Sequence, residues 1–333
     1  MLPYHAGYGG KTMMNRKNRI SFSRIKTMLA GIAAVAMLVS LPACVRRQEN
    51  EPMPFAPQEE TAMDTERIPY VINNEYVLDM DGMDALLQPE DYTFVPRESD
   101  LEILQSLKEQ YPENAEKIQF FIDHIGAYHQ TAVNNVCVAP EKIDFVLAER
   151  FATQTEAGDW NFSMEGISLP YYIQYDHRWA FHPYGNGVMG YTGCGPTCFA
   201  MVSAAVTGNQ DITPDRVADF AIDRGFYVAG SGTDWRLFTE GAEELGFHGK
   251  MIYPEEDLMK QELWKGNYLV VSLRPGDFTR VGHFVVIHSC DEDGFWLYDP
   301  NSIERSSRVW SYQALLNQIA QVWTLGQNID SNE

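Results

Sequence analysis

Apolar positions in this chain follow three patterns, and each pattern predicts a different element. Residues 28–41 are apolar without a charge, whereas residues 46–63 are rich in Pro, Glu and Gln and offer almost nothing to bury. From residue 99 apolar side chains return at helical spacing: Leu101, Leu104 and Leu107, then Ile118, Phe121, Ile122 and Ile125, then Ile143, Val146, Leu147 and Phe151. Ser99-Asp100, Pro112 and Pro140 stand where these runs begin, as a cap and first-turn prolines would. Short helices with a single apolar stripe predict a small helical subdomain laid against a partner. Ahead of them, Tyr70-Val71-Ile72 and Tyr76-Val77-Leu78 flank Asn73-Asn74 and suit a hairpin.

The second half changes period. Residues 167–175 are aromatic and Pro-punctuated, an extended segment that ends at Gln174. A small-residue loop then enters an apolar run through Val206. Pro196 fits the first turn of a buried helix and Gly208 its C-terminal cap. Further helices are expected from Thr213-Pro214-Asp215 to 221, from Thr233-Asp234 to 245, and over 255–264. The run 268–273 (YLVVSL) is continuously apolar, as a buried strand is. A strand over 282–288, a turn at 291–294 and a return strand over 295–298 follow. A short strand at 305–309, a helix over 311–319 and a last strand over 321–325 complete the pattern. Helices first and an antiparallel meander afterwards give an α+β fold.

Charge sharpens this picture at the front of the chain. The 333 residues carry a net charge of −21, and every acidic residue lies beyond residue 43. Such a surface excludes nucleic acid as an expected partner. The first 43 residues read as a targeting segment: basic to Lys26, then an apolar stretch shorter than the ~20 residues a membrane span needs. It ends Ser40-Leu41-Pro42-Ala43-Cys44, which resembles the lipobox of bacterial lipoproteins. That resemblance implies cleavage before Cys44 and lipid attachment to it; a plain secretory signal or an uncleaved anchor are the alternatives. The expected layout is a signal peptide (1–43), a flexible tether (44–63), a mainly helical subdomain (64–160), a main domain (161–326) and a tail (327–333).

The candidate chemistry centres on Cys194. A cysteine at a helix N-terminus is stabilised as thiolate, although a lone buried cysteine is usually inert. The strands over 282–288 and 295–298 share a tight turn, so His283 and Asp299 fall at the same end of one hairpin. A base beside the thiol, an acid orienting the base and an upstream Gln174 amide for the oxyanion make up a thiol acyl-transfer site. The backbone N–H of Cys194 offers a second oxyanion donor. Cys194 and Cys198 would lie on one helix with no second ligand pair at zinc spacing, so no metal site is expected there. Cys198 and His288 read as structural, and Cys290 has no evident partner. His124, His129 and Cys137 fall on mixed faces, and His177 and His182 flank the Gln174 loop.

These residues resemble the papain-like cysteine peptidases, specifically those similar to the peptidases that remove double-glycine leaders from bacteriocins. The resemblance covers about residues 170–324. It rests on Gln174 with Gly193-Cys194-Gly195-Pro196-Thr197, on Gly282-His283-Phe284-Val285-Val286, and on Tyr298-Asp299-Pro300. Gly276-Asp277-Phe278-Thr279 and the upstream Pro140-Glu141-Lys142-Ile143 pattern resemble secretory variants. It implies a papain-like fold, a helical part carrying the nucleophile packed on an antiparallel sheet. By the same resemblance Cys194 is nucleophile, His283 base, Asp299 its orienter and Gln174 oxyanion donor, with no cofactor or metal. Family members of the leader-cleaving type are fused to a transporter, and no transporter domain is read in this chain. Residues 175–193 must also loop out without displacing Gln174. The expectation is a lipid-anchored cysteine peptidase at the outer face of a bacterial membrane, acting on a peptide or protein. A cell-wall peptide amidase or endopeptidase and an inactive binding lipoprotein are the alternatives.

Overall fold

The computed structural model describes residue 76, residues 78–150 and residues 168–327. Most of the predicted hairpin at 70–78 (all but Tyr76 and Leu78), Cys44 with the whole targeting segment and tether, Phe151, and nearly all of the tail lie outside the described residues.

Helices dominate the first part. α1 (Met80–Leu86) is capped by the Asp79 carboxylate, which accepts from the Gly82 N–H. α2 (Glu98–Gln110) starts earlier than its apolar stripe suggests. Its N-cap is Arg97, so Asp100 is not a cap. Asp100 is instead fully buried in the first turn, where its carboxylate accepts from Arg280 Nη1 at 2.7 Å and from Gln130 Nε2 at 3.0 Å. A buried carboxylate needs such partners. Pro112 and Pro140 each open a 3-10 turn that leads into a helix, α3 (Ala115–Asp123) and α5 (Ile143–Ala148). Between them α4 (Gln130–Val138) has too weak a stripe to be read from the sequence.

Residues 175–193 fold as a compact excursion. The buried Asp176 turns the chain by accepting from the Arg178 N–H and side chain, and its carbonyl accepts from the Trp179 and Ala180 N–H groups. A two-residue ribbon, β1 (Pro183–Tyr184) with β2 (Gly187–Val188), follows, then α6 (Met189–Thr192). α7 (Cys194–Thr207) comes next, buried from Gly195 through Ala204, so it shows no polar face. Its C-cap is Gly208 at φ +70°, the left-handed conformation that glycine adopts without strain. α8 (Pro214–Asp223) packs on it. After a second ribbon, β3 (Tyr227–Val228) with β4 (Gly232–Thr233), the single helix expected to 245 is broken. It is a 3-10 turn (Trp235–Phe238) capped by Asp234, then α9 (Glu240–Glu244).

The sheet has five antiparallel strands: β5 (His248–Ile252), β6 (Tyr268–Leu273), β7 (His283–Cys290), β8 (Phe295–Tyr298) and β9 (Ile319–Gly326). Their order is β5-β9-β6-β7-β8, so it is not a plain meander. β9 inserts between β5 and β6, pairing Lys250 with Thr324 on one side and Val270 with Trp323 on the other. The strand expected at 305–309 is absent: Arg305 lies in α11 (Ile303–Ser306), whose N–H the capping Ser302 hydroxyl accepts. α12 (Tyr312–Leu316) is shorter than expected because β9 begins at Ile319.

Alternation along the strands divides two cores. Val270, Phe284, Val286 and Trp323 join α7 and the N-terminal helices in one. Leu269, Val271, Val285 and Val322 form the other with α10 (Glu256–Trp264) and Leu315 of α12. Helices on both faces explain why β6 is apolar at nearly every position. The mixed helix and antiparallel-sheet architecture is the papain-like α+β fold. Phe238 clamps α7 to the sheet, with ring centroids 5.0 Å from Phe284, 5.1 Å from Trp323 and 6.2 Å from Phe199. Truncating this buried ring in Phe238→Ala should cost about 3–5 kcal/mol of stability. Urea unfolding followed by intrinsic fluorescence checks this, and a loss below about 1 kcal/mol, well short of the usual cost of truncating a core phenylalanine, would remove Phe238 as the clamp.

Candidate active site

Cys194 is the first residue of α7, and both of its neighbours are glycines for steric reasons. A Cβ on Gly193 would lie 2.6 Å from the Met189 carbonyl oxygen, and one on Gly195 would lie 2.2 Å from Thr233 Oγ1. Larger residues at either position would push the nucleophile turn off the core. Pro196 occupies the first turn, where no intrahelical N–H is required. The thiol is half-buried at the positive end of a 14-residue helix.

His283 opens β7 and is 5 % exposed. Its Nε2 lies 2.6 Å from Asp299 Oδ1, immediately past the end of β8, as the shared hairpin requires. That contact leaves Nδ1 for the Cys194 thiol, and each of the two groups acts on the titration of the other. Burial opposes charge on both groups. The Asp299 carboxylate and the thiolate nonetheless raise the imidazole pKa to about 9. The hydrogen bond and charge of His283, aided by the Phe284 and Gly195 N–H groups, bring the thiol below its ordinary value. The arrangement therefore favours a thiolate–imidazolium pair.

Asp299 is fully buried. Burial would keep it protonated, but the Arg305 guanidinium and His283 hold its carboxyl far below the usual carboxylate range. Arg305 Nε donates to Oδ2 at 2.6 Å and the Asn301 N–H donates to Oδ1 at 2.7 Å. The Asp299 carbonyl accepts from Tyr171 Oη at 2.7 Å, and its N–H donates to Ser306 Oγ at 2.8 Å.

The excursion 175–193 leaves Gln174 in place. Its backbone N–H donates to the Pro300 carbonyl at 2.7 Å, and its side chain is 2 % exposed. Nε2 donates to the Gly190 carbonyl at 2.9 Å and reaches the Met189 carbonyl at 3.5 Å, so the side-chain amide faces the turn that precedes Cys194. Oε1 is buried without a hydrogen-bond partner.

The other sequence candidates stand apart. Cys198 is fully buried, and burial holds its thiol well above the ordinary value. Burial pushes His288 down to about 4, so it is a neutral packing residue whose ring lies tilted against Tyr298. His182 pairs with Asp219 at the surface at 2.8 Å, and His129 with Glu149 at 3.0 Å. Three residues were missed by sequence reasoning: Arg305, Asn301 and Lys142. Only Lys142 left a signal. It lies four residues before Val146, on the apolar stripe of its helix, where a lysine is out of place.

Comparison with known proteins bears on this geometry. Residues 167–329 match the Peptidase_C39 like family. That stretch is similar to the class the sequence motifs resemble. A solved structure assigned as a C39-like peptidase, from Bacillus anthracis, is 14% identical over 48% of this chain and 95% of its own, with a TM-score of 0.32. No curated protein matches the chain.

The coupled pair sets a pH dependence. Iodoacetamide alkylation of Cys194 should begin at a pH below the ~8.5 of a free thiol. It should gain a second phase near pH 9, as His283 loses its proton and releases an unpaired thiolate. In His283→Ala burial is opposed only by the Phe284 and Gly195 N–H groups, so the alkylation midpoint moves above that of wild type. A wild-type midpoint at or above that of free cysteine would show that no such pair exists.

Proposed function

We propose that this chain is an extracytoplasmic cysteine peptidase that hydrolyses peptide (amide) bonds. The observation that carries the reading is the Cys194–His283–Asp299 set, with a 2.6 Å imidazole–carboxylate contact and the thiol at a helix N-terminus. The Cys194 thiolate attacks the scissile carbonyl carbon, and the carbonyl π electrons move to oxygen. The Cys194 backbone N–H and the Gln174 side-chain amide, whose longer 3.5 Å contact to the Met189 carbonyl gives way, stabilise that oxyanion. His283 donates its proton to the departing amine as the C–N bond breaks, leaving a thioester. Water then attacks the thioester, giving its proton to His283, and Cys194 departs as thiolate beside the restored imidazolium. Asp299 stays ionised throughout and holds the ring with Nδ1 toward sulfur.

Two experiments test the reading. Purified protein should hydrolyse members of a peptide library, and His283→Ala should lower kcat by at least about 10²–10⁴-fold. New protein N-termini present in wild-type cells should vanish in Cys194→Ala cells. Matching N-termini in the two strains, together with an inert purified protein, would sink the peptidase reading.

We infer the location from Leu41-Pro42-Ala43-Cys44, the feature that supports a lipid anchor on Cys44. Cys44→Ser should move the protein from the membrane fraction to the soluble extracytoplasmic fraction. Retention in the membrane fraction would favour an uncleaved N-terminal segment.

A further inference from the structure

Lys142 is a lysine with no exposed surface, set in the 3-10 turn that opens α5. It lies upstream of the residues that match the peptidase family. Its Nζ donates to three oxygens: Asn135 Oδ1 at 2.5 Å, the Gly190 carbonyl at 2.7 Å and Asn301 Oδ1 at 2.5 Å. Three acceptors and no donor surround the nitrogen. An ammonium has three N–H donors and satisfies them all, whereas a neutral amine would turn its lone pair on one acceptor. The rings of Phe145, Tyr175 and Tyr191 lie 5.3–5.9 Å from the nitrogen and complete the enclosure.

Two of those acceptors belong to the candidate active site. The Gly190 carbonyl also receives Gln174 Nε2, in the helical turn that leads to Cys194. Asn301 carries the N–H that donates to Asp299 Oδ1. One ammonium thus spans the nucleophile side and the histidine–aspartate side. The neighbouring Glu141 reinforces the second side, accepting from Ser302 Oγ at 2.5 Å. We propose that Lys142 is a positioning residue of the active site, an ammonium brace that fixes the Asp299 loop against the turn bearing Gln174 and Cys194. The proposal rests on the peptidase reading for its kinetic arm only.

The charged groups around Lys142 are Asp299, Cys194, Glu141 and Arg305. Burial pulls its pKa down against the three that favour its charge, and the three acceptors aimed at Nζ are what keep the ammonium in place.

The test is Lys142→Met in the full chain, which keeps side-chain length and removes the donors and the charge. The expected result is a fall in kcat of about 100-fold, the effect of misplacing reacting groups by about 1 Å, with KM nearly unchanged. The pH midpoint for iodoacetamide alkylation of Cys194 should also rise, because a nearby positive charge is gone and the His283–Asp299 contact is loosened. Asn301→Ala, which keeps Lys142, should shift both readouts in the same direction by less, and it decides the matter if Lys142→Met does not fold. A folded Lys142→Met protein with the wild-type alkylation profile overturns the proposal, whether or not its stability has dropped. The alkylation arm needs no peptide hydrolysis. A shifted profile in a protein that cleaves nothing supports the brace and counts against the peptidase reading alone.

Discussion

A carboxylate with no access to water constrains everything around it. Asp299 is fully buried, and an ion in that position persists only if its oxygens are filled by donors. Here His283, Arg305 and the Asn301 N–H fill them. The two cationic partners come from different elements, β7 and α11, so the carboxylate joins the sheet to the loop that follows β8. Arg305 in turn reaches the Val138 carbonyl at the end of α4, and Tyr111 reaches Glu304 of α11. Removing one member of such a pair leaves the other buried and uncompensated, at a cost of about 3–5 kcal/mol. The orientation of the His283 ring and the docking of the N-terminal helices are therefore parts of one electrostatic problem.

The same helices pack into the core of the family-matching segment. Phe145 of α5 lies so close to Gly190 that a Cβ there would come within 2.2 Å of its ring, and its centroid is 4.8 Å from that of Tyr191. Arg280, in the loop before His283, is tied to Asp100 of α2. Both halves of the site are thus buttressed by residues 98–148. These contacts give the upstream helices a physical reason to be present in a chain whose family-matching segment begins at residue 167.

The parts legible in the sequence were those that local chemistry specifies. Cys194 is flanked by glycines and a first-turn proline; His283 and Asp299 are brought together by a single hairpin; β6 declares itself by an unbroken apolar run. What the sequence did not disclose depends on distant pairing. Lys142 and Asn301 are 159 positions apart, and no spacing rule predicts their contact. Arg305 was hidden because a charged residue in a short β-like stretch gives no hint that it turns inward to a buried acid. Asp100 looked like a cap because Ser-Asp before an apolar run usually is one; its burial follows from Arg280, far along the chain. β5 was missed because its sequence, His-Gly-Lys-Met-Ile, has an edge strand's polar composition.

The position of β9 has a consequence for the order in which the molecule can assemble. β5 pairs only with β9, and β6 pairs with β7 and β9, although β9 follows all of them in the chain. A nascent chain that has emerged through β8 can form the β6–β7–β8 hairpins, and with them the His283–Asp299 contact. It must leave β5 without a partner and β6 with one open edge. Sheet closure therefore waits on contacts between residues some seventy positions apart (roughly the kind of non-local pairing that slows folding,). During that wait the apolar edge of β6 is exposed to other chains, so the interval before β9 arrives is the one in which this protein is most vulnerable to aggregation.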